Sequence, residues 1–414
     1  MSAASAVVDP FSPLNVGPVR IKNRFIRAGA NEMMTRATLP QKALLEHHRQ
    51  LAEGGIGMTT LAYLSVSADG RTMAEQGILN PASVPHYKAV TDAIHAAGAL
   101  ANAQITHAGS FVMHRELSTW RAISASGGID QIGLMLGRPL QREMNRDDMD
   151  RITAEFVAAA RCAVEAGFDA IELHMGHGYL LNQFISPLSN KRRDGYGGNA
   201  EQRMRFPVEV LSAVKQAVGD QVAILAKINL VDGVPKGASA ADAVVTAQAL
   251  ERAGVDMLVL SGGRNIEASW QIFGSPMPYE DLAAMQPGWL AKLQFKLLKA
   301  TTPKSLQFKE LFFLDAARLV RAATQVKLAY IGGVQSLAAA QTALTEGFDA
   351  VVMARATIHD PAIVNKWRID GNLRSGCTAC NRCVAAMYGP SGTHCPVVGN
   401  AFDPAWKLQD AGAA

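Results

Sequence analysis

The sequence predicts an α/β fold, a (β/α)8 barrel over residues 1–370, with an N-terminal cap over about 1–24 and a cysteine-bearing tail over 371–414. Three observations predict it. A unit recurs: "EAGFDAIELH" ends at His174, "RAGVDMLVLSGG" at Gly263 and "TEGFDAVVMAR" at Arg355. Each reads as the end of an amphipathic helix, a glycine and an apolar run, and Gly167, Gly254 and Gly347 fit the left-handed position that closes a helix. The runs are continuous in Val, Ile, Leu and Met, as in strands buried on both faces of a parallel sheet. With looser copies the strands number eight, the count of a closed barrel.

In chain order, "FIRAGA" gives the first strand at 25–30. "LAEGGIGMTTLA" leads to the second at 57–62 and "AAGALANAQITHAG" to the third at 100–105. "DMDRITAEFVAAARCAVEAG", with Cys162 in its apolar stripe, is the helix before the fourth strand at 169–174. "VAILAKI" is the fifth at 222–228, and the helical "SAADAVVTAQALERAG" leads to the sixth at 256–261. "VKLAYIGG" supplies the seventh at 326–331 and "GFDAVVMA" the eighth at 349–354. Two intervals, 106–146 and 262–313, exceed what one helix needs; both follow strand C-termini, where barrels place site loops. A doubly wound sheet is the alternative, but no GxGxxG opens a helix after the first strand.

Composition narrows the class. The 40 basic and 36 acidic residues leave a net charge of +4 without long runs, so neither nucleic acid nor an anionic membrane is an expected partner. No stretch of eighteen apolar residues occurs. "MSAASAVVDPFSPL" has neither the basic start nor the apolar core of a signal peptide. Four of the five cysteines lie between 377 and 395, which favours a reducing, cytoplasmic setting and a metal-type role over disulfides.

Chemistry is expected where strands end. His174, His177 and Tyr179 gather two imidazoles and a phenol at the end of the fourth strand. Two imidazole N–H groups can grip one carbonyl oxygen while a phenol delivers a proton nearby. Gln104, ending the third strand, offers a carboxamide to the donor–acceptor edge of a planar heterocycle. Lys227, ending the fifth among apolar neighbours, calls for an anion, either a ligand or a structural carboxylate. Gly332 and Gly333 follow the seventh strand and Arg355 the eighth, the two loops where barrels bind phosphate. A phosphate-bearing planar ligand with an anionic edge over Lys227 describes flavin mononucleotide.

These stretches resemble the old yellow enzyme family of flavin-dependent ene-reductases, in the branch near 2,4-dienoyl-CoA reductase and the trimethylamine dehydrogenase barrel. The likeness runs from about 10 to 400, through "IKNRFIRAGA", "AQITHAG", "HGYLLNQFISPLSNKRRDGYGGNAEQRMRF", "GVDMLVLSGG", "YIGGV" and "GFDAVVMARATIHDP". It implies FMN on the barrel's C-terminal face, with Gln104 at the pyrimidine edge and Lys227 near N1. Ala30 and Ala62 would pass backbone beside the ring, and Gly333, Ala354 and Arg355 would hold the phosphate. His174 and His177 would bind a substrate carbonyl and Tyr179 would protonate the α-carbon, with NAD(P)H as reductant and a small-molecule enone as substrate. Two residues depart from common family choices: Lys227 stands where many relatives carry Arg, and Asn31 where Thr, Cys or His is usual beside the flavin. Self-association and the choice of nicotinamide stay open.

The spacing of Cys377, Cys380, Cys383 and Cys395, C-x2-C-x2-C-x11-C, is close to that of the family's iron–sulfur members. A [4Fe–4S] centre, zinc or four free thiols all remain open. Those relatives continue into a nucleotide-binding half, so a cluster here would call for an external electron-transfer partner. An amine dehydrogenase or demethylase passing electrons through such a cluster is one alternative. A flavin-free lyase or isomerase acting on a phosphorylated substrate is another.

Overall fold

The computed structural model describes residues 8–285, 288–289, 292–293, 299, 303 and 306–402. The first seven residues of the expected cap, the last twelve of the tail and parts of 262–313 lie outside the described residues. Eight strands close into a barrel: β1 (Phe25–Arg27), β2 (Met58–Ser65), β3 (Leu100–Thr106), β4 (Ala170–Met175), β5 (Ala223–Asn229), β6 (Met257–Ser261), β7 (Lys327–Ile331) and β8 (Ala350–Met353). All neighbours run parallel, and β8 returns to β1 with Val351 opposite Phe25. The helices are α1 (Lys42–Glu53), α2 (Val84–Ala96), α3 (Arg146–Glu165), α4 (Arg205–Val218), α5 (Ala240–Arg252), α6 (Leu314–Ala323), α7 (Leu337–Thr345) and α8 (Ile363–Ile369). One follows each strand, so the predicted barrel is the observed one.

The sequence accounts for the local structure. Asn145 and Asp148 form a reciprocal capping box at the start of α3, satisfying two N–H groups that a helix start leaves free. Gly167, Gly254 and Gly347 have φ of +80°, +84° and +90°, the left-handed exit that the repeated unit predicted. Apolar residues fill two layers. One lies between strands and helices, where the Trp367 ring of α8 packs at a tilt against Phe25, centroids 5.7 Å apart. The other fills the barrel, and the antiparallel hairpin Leu14–Val16/Val19–Ile21 adds Leu14, Val16 and Ile21 to it.

Boundaries differ from expectation at the start of the barrel. β1 ends at Arg27 because, after Ala28 donates to the Met353 carbonyl at 2.8 Å, residues 28–31 turn into the mouth. β2 instead runs on to Ser65, with an irregularity in its pairing between Leu61 and Leu64. The 106–146 interval holds a small three-stranded sheet, Ile123–Ser124, Gly128–Ile129 and Leu140–Glu143. Among the described residues no helix is long and apolar enough to cross a membrane.

Candidate active site

Register sets the deepest part of the site. Glu172 lies opposite Gln104 on β3, and His174 opposite Lys227 on β5. Glu172 accepts from Gln104 Nε2 at 2.5 Å and pairs with Lys227 Nζ at 2.9 Å, all three residues being about 1% exposed. The anion demanded by Lys227 is therefore in part the protein's own. Sequence reasoning missed Glu172, although it stands two residues before His174 on one strand and so on the same face. Gln104 fits because Gly29 has no side chain: a Cβ there would come within 2.8 Å of Nε2.

Above this triad the chain leaves β4. His177 adopts φ +61°, and its N–H donates to Asn229 Oδ1 at 3.1 Å. The turn brings His174 Nε2 to 3.0 Å from His177 Nδ1 and His177 Nε2 to 2.8 Å from Ser261 Oγ. His174 Nδ1 is buried without a partner. Tyr179 is 3% exposed, with its ring centroid 4.4 Å from that of His174, 5.1 Å from Tyr63 and 5.7 Å from Phe111. Burial and the adjacent Tyr63 phenol push the Tyr179 hydroxyl well above its ordinary range, so it holds its proton. Burial, then the Lys227 cation, lowers His177 to about 3; burial, His177 and Lys227 lower His174 strongly. Both imidazoles are neutral at physiological pH. The three residues expected together are together, but both ring nitrogens of His177 are engaged.

Acid should expose this burial of neutral histidines. His47 is held at about 3, His107 at about 4 and His48 well below 6.5, burial being the first cause in each. Unfolded histidine binds protons below about pH 6.5. The folded chain refuses them, so stability is whole above 6.5 and is lost as pH falls toward 3–4, by about 1.4 kcal/mol per pH unit for each such group. Glu32, raised by burial to about 7, runs the other way: what it contributes in acid is lost as pH rises through 7. With His174 and His177, these buried histidines outweigh Glu32. The thermal midpoint, followed by scanning fluorimetry, should hold from pH 8 to 7 and then fall steadily below 6.5.

Around Ala30, Asn31 and Ala62, the residues expected beside a flavin ring, a buried charge network fixes the backbone. Glu32 contacts the Arg27 guanidinium and accepts from Ala62 N at 3.2 Å; Arg27 also donates to the Thr60 carbonyl at 2.7 Å. Asn31 keeps a buried Nδ2 with no partner. At the other end, Gly332 and Gly333 (φ +147° and +85°) lie against aromatic rings, and a Cβ on Gly333 would come within 3.0 Å of Phe308. Arg355, following Ala354, has its guanidinium 5.2 Å from the Phe308 ring. Phe308 therefore lies against both halves of the expected phosphate site.

Cys377, Cys380, Cys383 and Cys395 line one cavity with Arg355, His359 and Asn381. No disulfide joins them, and Cys395 Sγ lies 3.6 Å from His359 Nδ1. Burial raises Cys377 and pushes Cys383 up to about 12. Among the described residues no set of three or more His, Cys, Asp or Glu is drawn together closely enough to hold a single metal ion. The tail loop beyond reaches the mouth, where Thr393 N donates to the Glu32 carbonyl at 2.8 Å and Thr393 Oγ1 to that of Asn31 at 2.6 Å.

The model of the NADH:flavin oxidoreductase / NADH oxidase family matches residues 9–272. The chain belongs to this family. The chain is 37% identical over 393 residues to 4,4'-dithiodibutanoate disulfide reductase of Rhodococcus erythropolis, covering 94% of each chain. Among solved structures it is similar to 6-hydroxypseudooxynicotine amine oxidase of Pseudomonas geniculata N1, at TM-score 0.76 and 23% identity. That match covers 98% of this chain and 55% of that longer one. It is also similar to morphinone reductase in complex with tetrahydroNAD, at TM-score 0.68 and 22% identity, over 88% of this chain and 91% of that one. At these identities the structural likeness is one of fold. Family membership makes the chain an oxidoreductase enzyme and sets aside the lyase and isomerase alternative.

The residues at the ring end suit a flavin. Gln104 and Lys227 present a donor face and a cation, and the unpartnered Asn31 Nδ2 is a buried donor awaiting an acceptor. At the phosphate end, a ligand seated between Gly333 and Arg355 would displace the Phe308 ring.

Proposed function

We propose that the chain is an FMN-dependent reductase that takes hydride from NAD(P)H and reduces the C=C bond of an α,β-unsaturated carbonyl compound. The observation that carries this reading is Tyr179: a buried phenol that keeps its proton, packed at a tilt against His174, which pairs in register with Lys227 of the Gln104–Glu172–Lys227 triad. Ala30, Asn31, Ala62, Gln104 and Lys227 would hold the ring of FMN and Gly332, Gly333, Ala354 and Arg355 its phosphate, and the chemistry FMN would supply there is hydride transfer. His174 and His177 hold the substrate carbonyl oxygen as neutral donors, His177 giving up its contact with Ser261 or with His174 to do so. Polarisation of that carbonyl leaves the β-carbon electron-poor, and Tyr179 delivers the proton to the α-carbon. A nicotinamide and an enone using one face in turn predicts ping-pong kinetics.

A second reading, reduction of a disulfide, is favoured by the relative matched along 94% of the chain. An amine substrate suits the site less, because neutral imidazoles donate to an oxygen better than they hold a cation. Four thiols around one cavity are the ligand set that a [4Fe–4S] cluster takes, and such a cluster, unlike zinc, would call for a one-electron partner. Anaerobic purification with FMN, iron and sulfide quantified together tests both cofactors. Stopped-flow reoxidation of the NAD(P)H-reduced enzyme should be fast with an enone and slow with an alkyl disulfide. A colourless protein, or reoxidation by the disulfide alone, would overturn the ene-reductase reading.

A further inference from the structure

The tail and the phosphate end of the site meet at one guanidinium. Arg355 Nη1 donates to Asn381 Oδ1 at 2.7 Å and to Ser275 Oγ at 2.8 Å, and Nη2 to the Phe273 carbonyl at 2.6 Å. Asn381 is 1% exposed and sits at φ +59°, a left-handed position that Asn tolerates better than most residues with a side chain. Its Nδ2 donates to Ser275 Oγ at 2.9 Å and to the Pro276 carbonyl at 2.8 Å. One carboxamide thus clamps Arg355 on its acceptor side and the 275–276 backbone on its donor side. Asp would keep the first link and lose the second; Ala would lose both. Cys380 and Cys383 are one and two residues away, so the turn that presents the thiols also presents the amide. On its other side Arg355 faces the Phe308 ring that rests on Gly333.

We propose that Asn381 is a positioning residue for the cofactor phosphate, aiming Arg355 so that the thiol cage and the flavin site form one unit. This rests on the reading that FMN binds at the barrel mouth. It gives the cysteine loop a role that does not depend on what the cage holds: the loop builds one wall of the phosphate site.

The test is FMN affinity of deflavinated protein, followed by quenching of flavin fluorescence, beside the thermal midpoint without FMN. Asn381→Ala should weaken FMN binding at least tenfold, as expected when a buried charged donor loses its acceptor. Asn381→Asp, which preserves the link to Arg355 but sets an acceptor against the Pro276 carbonyl, should lose clearly less FMN affinity than Asn381→Ala. Arg355→Ala sets the ceiling. If Asn381→Ala fails to fold, Ser275→Ala, which removes the hydroxyl both side chains share, should weaken FMN by a smaller factor. Asn381→Ala binding FMN as tightly as wild type, equal losses for Ala and Asp, or an unchanged Kd in Arg355→Ala would each overturn the inference. Wild-type protein that binds no FMN would instead sink the functional reading beneath it.

Discussion

Tyr179→Phe should slow enone reduction by about 10²–10⁴-fold, the usual yield of a positioned general acid, while reduction of the enzyme by NAD(P)H stays at the wild-type rate. The substitution is suited to the question because the ring is held by packing. His174, Tyr63 and Phe111 surround it at centroid distances of 4.4, 5.1 and 5.7 Å, and phenylalanine fills the same space. What goes is one hydroxyl, and with it the proton. That proton is secure in the wild type, since burial and Tyr63 both disfavour the phenolate. The enone step should therefore show no fall at neutral pH from Tyr179 ionisation. Separate measurement of the two half-reactions by stopped flow decides the matter. Equal losses in both would mean that Tyr179 shapes the pocket without donating, and an undiminished enone step would place the donor elsewhere.

The barrel was legible because parallel strands buried on both faces leave a mark that survives without any partner sequence, the glycine-then-apolar unit. His174, His177 and Tyr179 were legible for a similar reason, being local to one strand end. What escaped was non-local. Glu172 reads as a strand residue until register sets it opposite Gln104 and beside Lys227, where its charge changes the meaning of both. Glu32 lies in plain sight after β1, yet only folding brings it to Arg27 and the Ala62 amide. The short β1 was missed because "FIRAGA" has strand-like composition, whereas the mouth needs its last residues off the ladder. Phe308 and Asn381 belong to segments with no periodicity, and their parts follow from contacts with Arg355 across 47 and 26 residues of chain.

Lys227→Met should destabilise the protein by about 3–5 kcal/mol, because it strands Glu172 as a buried, unpaired carboxylate. Both side chains are about 1–2% exposed, so solvent cannot stand in for the lost partner. Glu172→Gln should cost a similar amount, since Gln104 then loses a charged acceptor and Lys227 its counterion. The double variant Lys227→Met/Glu172→Gln removes both charges and should recover most of the loss, giving a large coupling energy in a denaturant cycle. Function should not recover with it. A cation near the pyrimidine edge stabilises negative charge on a reduced flavin, so the double variant should be folded yet bear a flavin with a lowered midpoint potential. Glu172→Gln alone leaves Lys227 uncompensated and should raise that potential. The two readouts separate the roles: stability follows the pair, whereas the potential follows Lys227. If stability and potential move together in all three variants, Lys227 is a structural counterion to Glu172 and the charge on the flavin is balanced by other groups.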